Sequence, residues 1–213
     1  SSTFGDWTNC PSASGNRCAV TMSADASVIA NFTANTITAI TSDSPDPSVV
    51  GEAVTVNFTV TAVAGAGTPT GDVTVSDGAV SCMGTVAAGT CNLAFTSAGA
   101  KTLTATYGGD ANFNGSSDIE DHTVNKANTT TTITSDDPDP SAVGGVVAVN
   151  YTVAVVAPGA GTPTGNVTVS AGTDSCTVTL PATSCNLIFT SPGAKTLTAT
   201  YVGDTNFNTS ASA

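Results

Sequence analysis

Between residues 54 and 60 apolar and polar positions alternate without a break. Val54, Val56, Phe58 and Val60 share one face, and Thr55, Asn57 and Thr59 share the other. A period of two predicts a strand with one face in a core. The pattern returns at Val147, Val149, Tyr151 and Val153. Val73 and Val75 mark a further strand after the turn Thr68-Pro69-Thr70-Gly71. Cys91, Leu93 and Phe95 face one way in the next, and Leu103, Ala105 and Tyr107 in another, with Thr102, Thr104 and Thr106 outside. Much of the apolar material is Val and Ala with Thr between, and Val and Thr favour strands because their branched β-carbons suit a pleated surface. No window sustains a helical period. Short strands separated by Gly, Pro and Asp turns predict an all-β chain of sandwiches with Greek-key connections.

The strands are organised by an internal repeat. ITSDSPDPSVVG at 40–51 returns as ITSDDPDPSAVG at 133–144, and CNLAFTSAGAKTLTATYGGDANFN at 91–114 returns as CNLIFTSPGAKTLTATYVGDTNFN at 185–208. Between these blocks, GAGTPTG-Asx-VTVS appears twice, and one residue is inserted in the second copy near Pro158. The spacing is that of one small sandwich domain rather than of a solenoid repeat. The expected organisation is a partial β module over 1–33, one sandwich over 34–127 and a second over 128–213.

The order P-S-x-x-G…V-x-V, T-P-T-G-x-V-T-V and G-x-K-T-L-T-A-T-Y-x-G-D-x-N-F resembles the bacterial Ig-like repeat domains of large surface proteins. The resemblance implies immunoglobulin-like β-sandwiches. It also implies that YGGDANF at 107–113 and its copy at 201–207 are structural, at the corner before the last strand, so no catalytic residue is carried over. The first 33 residues are similar to the C-terminal half of a divergent internalin-B-type repeat: Phe4 and Trp7, then Cys18, Val20-Thr21-Met22, Ala24-Asp25 and Val28 to Phe32. After YGGDANFN the first copy continues with GSSDIEDHTVNKA, whose Ile119 to Val124 region reads as a closing strand. After YVGDTNFN the second continues only with TSASA. The second sandwich is therefore expected to lack most of its last strand, which leaves unpaired backbone groups and an open core edge.

Charge narrows the function classes. Four basic residues stand against sixteen acidic ones, for a net charge of −12. Nucleic-acid binding requires many Lys/Arg contacts to phosphate, and anionic membrane surfaces are disfavoured for the same reason. No run of about twenty apolar residues is present to span a bilayer. The chain opens on polar SSTFGDWTNC, without the pattern of a signal peptide.

Six cysteines fall as three close pairs: Cys10 and Cys18, Cys82 and Cys91, Cys176 and Cys185. Six cysteines allow fifteen connectivities in principle. Two pairs occupy matching positions of the repeat, which favours local pairing. Local disulfides point to an oxidising, extracellular compartment. Each is expected to pin a hairpin or loop to its neighbour, unlike the antibody disulfide that joins two sheets. Zinc is disfavoured, because the lone histidine, His122, is far from every cysteine in sequence.

Asp43, Asp46, Asp136, Asp137 and Asp139 lie where modules meet, and Asp110 and Asp204 in the YxGD corners. Such oxygens suit calcium, yet Asp-Pro and Ser-Asp pairs also shape turns, and no EF-hand spacing occurs. Glu52, Asp118, Glu120 and Asp121 form no recognisable acid–base pair. Lys101 and Lys195, each after a glycine turn, read as exposed and so unsuited to an isopeptide crosslink. Sequons at Asn31, Asn57, Asn114, Asn128, Asn150, Asn166 and Asn208 are permissive for glycan, as are the Thr rows for ice or glycan contact.

No enzyme is expected, and no cofactor beyond the calcium option. The chain reads as a secreted, cell-surface structural protein. It is a repeat segment or subunit of a fibre or filament, with itself or adjoining modules of a giant chain as partners, assembled by strand complementation. The alternative is an adhesin stalk or glycan- or protein-binding module.

Overall fold

A computed structural model describes residues 2–20, 28–63 and 67–213, and every regular element among them is a strand. The Thr21 to Asp25 part of the internalin-like motif, and residues 64–66 of the repeat, lie outside the described residues. The N-terminal strands are β1 (Ser2–Thr8), β2 (Ser12–Ser14), β3 (Arg17–Ala19) and β4 (Ile29–Ala34). Antiparallel pairing joins β1 to β4 and β2 to β3. Phe4 stacks obliquely on Trp7 and edge-on to Phe32, at centroid distances of 5.2 and 5.8 Å.

The first sandwich uses β5 (Thr36–Ser44), β6 (Ser48–Val49), β7 (Ala53–Ala62), β8 (Asp72–Ser76), β9 (Ser81–Thr85), β10 (Thr90–Ala94), β11 (Gly99–Tyr107) and β12 (Ser116–Asn125). Its two sheets have the orders β10-β7-β5 and β6-β12-β11-β8-β9. The second uses β13 (Thr129–Asp137), β14 (Val146–Val155), β15 (Asn166–Ala171), β16 (Asp174–Thr179), β17 (Ser184–Ile188), β18 (Thr198–Tyr201) and β19 (Ser210–Ala211), in the orders β13-β14-β17 and β16-β15-β18-β19. The alternation works as anticipated. Val54, Val56, Phe58, Val73, Val75, Leu103, Ala105 and Tyr107 are buried, and so are Val147, Val149, Tyr151, Val167, Val169, Ala199 and Tyr201. Each inward position removes apolar surface from water, and the Thr between them face outward.

The chain divides into two compact units: Ser1–Ser44, Thr55–Leu93 and Thr102–His122 form one, and Pro45–Val54, Ala94–Lys101 and Thr123–Ala213 the other. In the first unit Ala34 bridges Phe113; its N–H donates to the Asn112 carbonyl and its carbonyl accepts from the Asn114 N–H. The second unit repeats the device: Ala127, fully buried, bridges Phe207 through Asn206 and Asn208. Also within this unit, the Ala160 N–H donates to the Val50 carbonyl at 3.0 Å, and Asn206 Oδ1 accepts the Ala98 N–H at 3.1 Å.

Candidate functional site

The YxGD corners are built as turns. In the first, Asp110 Oδ1 accepts the N–H groups of Asn112 and Phe113, while Oδ2 accepts the amide and hydroxyl of Thr70. Tyr107, buried beside it, donates its hydroxyl to the Thr70 carbonyl at 2.8 Å. Asp204 holds Asn206, Phe207 and Thr164 in the same way. The Asn112 N–H does most to pull the Asp110 carboxyl down to about 2, with Thr70 assisting and burial opposing. Burial alone would raise Asp204, but the Thr164 hydroxyl and the surrounding N–H groups outweigh it, leaving it at about 2. Burial, and next the Asp204 charge, push the Tyr201 hydroxyl up to about 12. With both oxygens of each carboxylate accepting hydrogen bonds, these aspartates are turn pins.

All six cysteines are paired locally: Cys10–Cys18, Cys82–Cys91 and Cys176–Cys185. One expectation is corrected. Cys82 lies on β9 and Cys91 on β10, which belong to different sheets, and Cys176 on β16 and Cys185 on β17 do likewise. Each disulfide therefore joins the two sheets along one edge of its sandwich. A nine-residue separation suffices because β9 and β10 are consecutive strands that change sheet at their turn.

Of the five interdomain aspartates, Asp43 Oδ2 meets His122 Nδ1 at 2.5 Å, with both side chains largely out of solvent. Asp46 Oδ1 accepts the Thr123 N–H. In the second copy Asp136 is half-buried, and Asp137 and Asp139 are exposed. The other carboxylates serve the backbone or a hydroxyl: Glu52 accepts from Val49 N–H, Asp118 from Ile40 N–H and Asp121 from the Thr102 hydroxyl, so they do not converge on one cleft. Neither lysine is fully exposed as expected. Lys101 is half-buried and donates to Ser97; Lys195 donates to Ser191, lies 3.9 Å from Asp174 and sits over the Phe189 ring. Sequon amides act largely as cross-strand links, as with Asn57 to Ser42, Asn150 to Ser135 and Asn208 to Asn128.

The feature that stands apart is the edge of the second sandwich. In the first, β12 is ten residues long and pairs in parallel with β6, Val124 opposite Ser48. His122 and Val124 point into the core at alternate positions. The corresponding β19 has two residues and β18 four, where β11 has nine. Residues 193–197 and 141–142, which match the first part of β11 and the whole of β6, are in no strand. Val50 is 3% exposed, but its counterpart Val143 is 54% exposed; Leu103 is fully buried, but Leu197 is only half-buried. A groove of about 440 Å³ occupies this edge, lined by Asp136, Val143, Phe189, Lys195 and Leu197 among others.

No curated protein matches the chain. Three solved structures are similar. The fibronectin(III)-like modules of Clostridium thermocellum CbhA share 13% identity, over 82% of this chain and 92% of that one, at a TM-score of 0.32. A 1.5-MDa bacterial ice-binding adhesin shares 17%, over 87% and 68%, at 0.30. A Ca2+-stabilized adhesin of an Antarctic bacterium shares 21%, over 84% of this chain but only 48% of that one, at 0.29. Residues 40–134, most of the first sandwich and the start of the second, match the family model of the bacterial Ig-like domain (group 3).

Proposed function

We propose that this chain is an extracellular structural segment of a bacterial surface protein. Its Ig-like modules, bounded at about 34–127 and 128–213, transmit tension along a fibre or stalk, and strand complementation between neighbours continues the array. It performs no catalysis and requires no cofactor; calcium at Asp43, Asp46, Asp136, Asp137 or Asp139 would be an accessory. The observation that carries this reading is the way the chain passes from sandwich to sandwich. Only residues 126–128 separate β12 from β13, and Ala127 among them is fully buried and hydrogen-bonded through both its N–H and its carbonyl. A connection tied down in this manner is not a flexible linker. The disulfides and the bacterial Ig-like match at 40–134 agree with a cell-surface location.

Single-molecule stretching of the oxidised chain tests this. Two or more discrete rupture events, with contour-length gains shortened by the disulfides, are expected. A featureless extension at low force would sink the proposal. A second reading, that the N-terminal segment binds a glycan or protein, is favoured by one observation: Phe32 in the Phe4–Trp7–Phe32 cluster is 60% exposed. Glycan-array binding that Phe32→Ala removes would support it.

A further inference from the structure

We propose that Asp43, Asp46 and His122 form a binding site for one divalent transition-metal ion of the zinc class. The ion would clip the end of β5 and the turn before β6 to β12, and the site uses no cysteine.

Each of the three residues offers one ligand atom, and these atoms lie within 4.8 Å of one another. Asp43 stands near the end of β5, and its Oδ2 meets His122 Nδ1 at 2.5 Å. Asp46 follows three residues on. Its Oδ1 accepts the Thr123 N–H at 3.0 Å, which orients the carboxylate beside the strand that carries the imidazole. His122 points inward from β12 and is 2% exposed. Ligands held by a strand and by a backbone hydrogen bond are positioned before any ion arrives. Zinc sits about 2.0–2.2 Å from nitrogen and oxygen ligands, which places tetrahedral neighbours about 3.4 Å apart. The Asp43–His122 pair therefore opens by about 1 Å on binding, a side-chain adjustment and not a change of fold.

The donor set selects the ion. One imidazole nitrogen with two carboxylates suits zinc, with water in the open position, whereas calcium takes about six to eight oxygens. At this turn the imidazole thus favours zinc over the calcium that an all-oxygen turn would take. Sixteen acidic residues face four basic ones in the chain. A divalent cation compensates two neighbouring carboxylates where Lys and Arg are scarce. Asp43 and His122 are 79 residues apart in sequence, so an ion that binds only their folded arrangement stabilises the first sandwich by mass action. The acidic turn is repeated as Asp136 and Asp139, but the chain's one histidine belongs to the first copy. The second turn is therefore an internal control.

The test titrates the full oxidised chain with Zn2+ and, separately, with Ca2+. Because His122 is the only histidine, its ring resonances report the site directly by NMR. Zn2+ should shift them, saturating at one equivalent, and should raise the melting temperature of the first sandwich. Ca2+ at the same concentration should do neither. Asp46→Asn, at an exposed position, should keep the fold and weaken Zn2+ binding at least about tenfold, a difference of about 1.4 kcal/mol. Asp136→Asn with Asp139→Asn should leave the affinity unchanged. Zn2+ binding that leaves the His122 ring unmoved, or that persists undiminished in Asp46→Asn, would overturn the proposal, since it would report scattered surface carboxylates. An equal response to Ca2+ would overturn it in favour of an oxygen-only site. Should Asp46→Asn fail to fold, the ring shift and the stoichiometry of the unaltered chain decide.

Discussion

Asp110 and Thr70, forty residues apart, are joined by two hydrogen bonds to one carboxylate oxygen, 2.9 Å from the amide and 2.8 Å from the hydroxyl. The pair ties the T-P-T-G turn to the Y-x-G-D corner, and Thr164 with Asp204 repeats it.

Acid should loosen these corners. Both carboxylates fall from the ordinary 3.8 to about 2 in the folded chain, so folding favours their charged form. Their contribution is complete above the unfolded value and is lost as pH drops through the folded one. The melting temperature should therefore decline between about pH 4 and pH 2. The double variant Asp110→Asn, Asp204→Asn should start lower at pH 7 and show a flatter acid limb. Calorimetry across that range checks both.

Reduction should weaken both sandwiches. Each inter-sheet clasp closes a loop of about ten residues, which chain-entropy reasoning converts to roughly 2–3 kcal/mol. Cys82→Ser with Cys91→Ser should lower the first sandwich by that amount in a denaturant titration and leave the second unchanged. Equal loss in both would contradict the assignment of one clasp to each.

The buried partnership of Asp43 and His122 gives a sharper effect. Removing the carboxylate takes away a buried polar contact of the imidazole, at a cost of about 1–3 kcal/mol. Asp43→Ala should destabilise the first sandwich on that scale, whereas Asp136→Ala, which lacks an imidazole partner, should change the second by less than about 1 kcal/mol. Urea unfolding monitored separately at Tyr107 and Tyr201 by hydrogen exchange distinguishes the two.

Gly51 is the residue on which the junction within the second unit turns. Its φ is +81°, and a β-carbon there would come within 2.5 Å of the Ala160 backbone. Gly51→Ala should cost more than the ~1 kcal/mol typical of a left-handed glycine alone, because backbone must also move. Loss of amide protection at Ala160, read by hydrogen exchange, would localise the effect.

Much of this was legible in the residues. Strict alternation at Val54 to Val60 and Leu103 to Tyr107 identified inward faces, because burial of one sheet face imposes a period of two. The repeat identified the paired cysteines. What the sequence concealed were relations between distant strands. Nothing near Cys82 says that β9 and β10 lie on different sheets, and nothing near Asp110 names Thr70. His122 could have been placed: it alternates with Val124, so it had to point inward and required a polar partner. Lys101 and Lys195 follow glycine turns, yet Lys101 is half-buried with its ammonium on Ser97 and Lys195 reaches over the Phe189 ring, which turn position does not reveal.

The position of the clasps has a mechanical corollary. In each sandwich one disulfide binds the two sheets along a single margin, between β9 and β10 and between β16 and β17, and among the described residues no disulfide closes the opposite margin. Like a book sewn at the spine, such a module can gape only at its fore-edge. Thermal opening and chain extension should both begin there, with the sewn side the last to part.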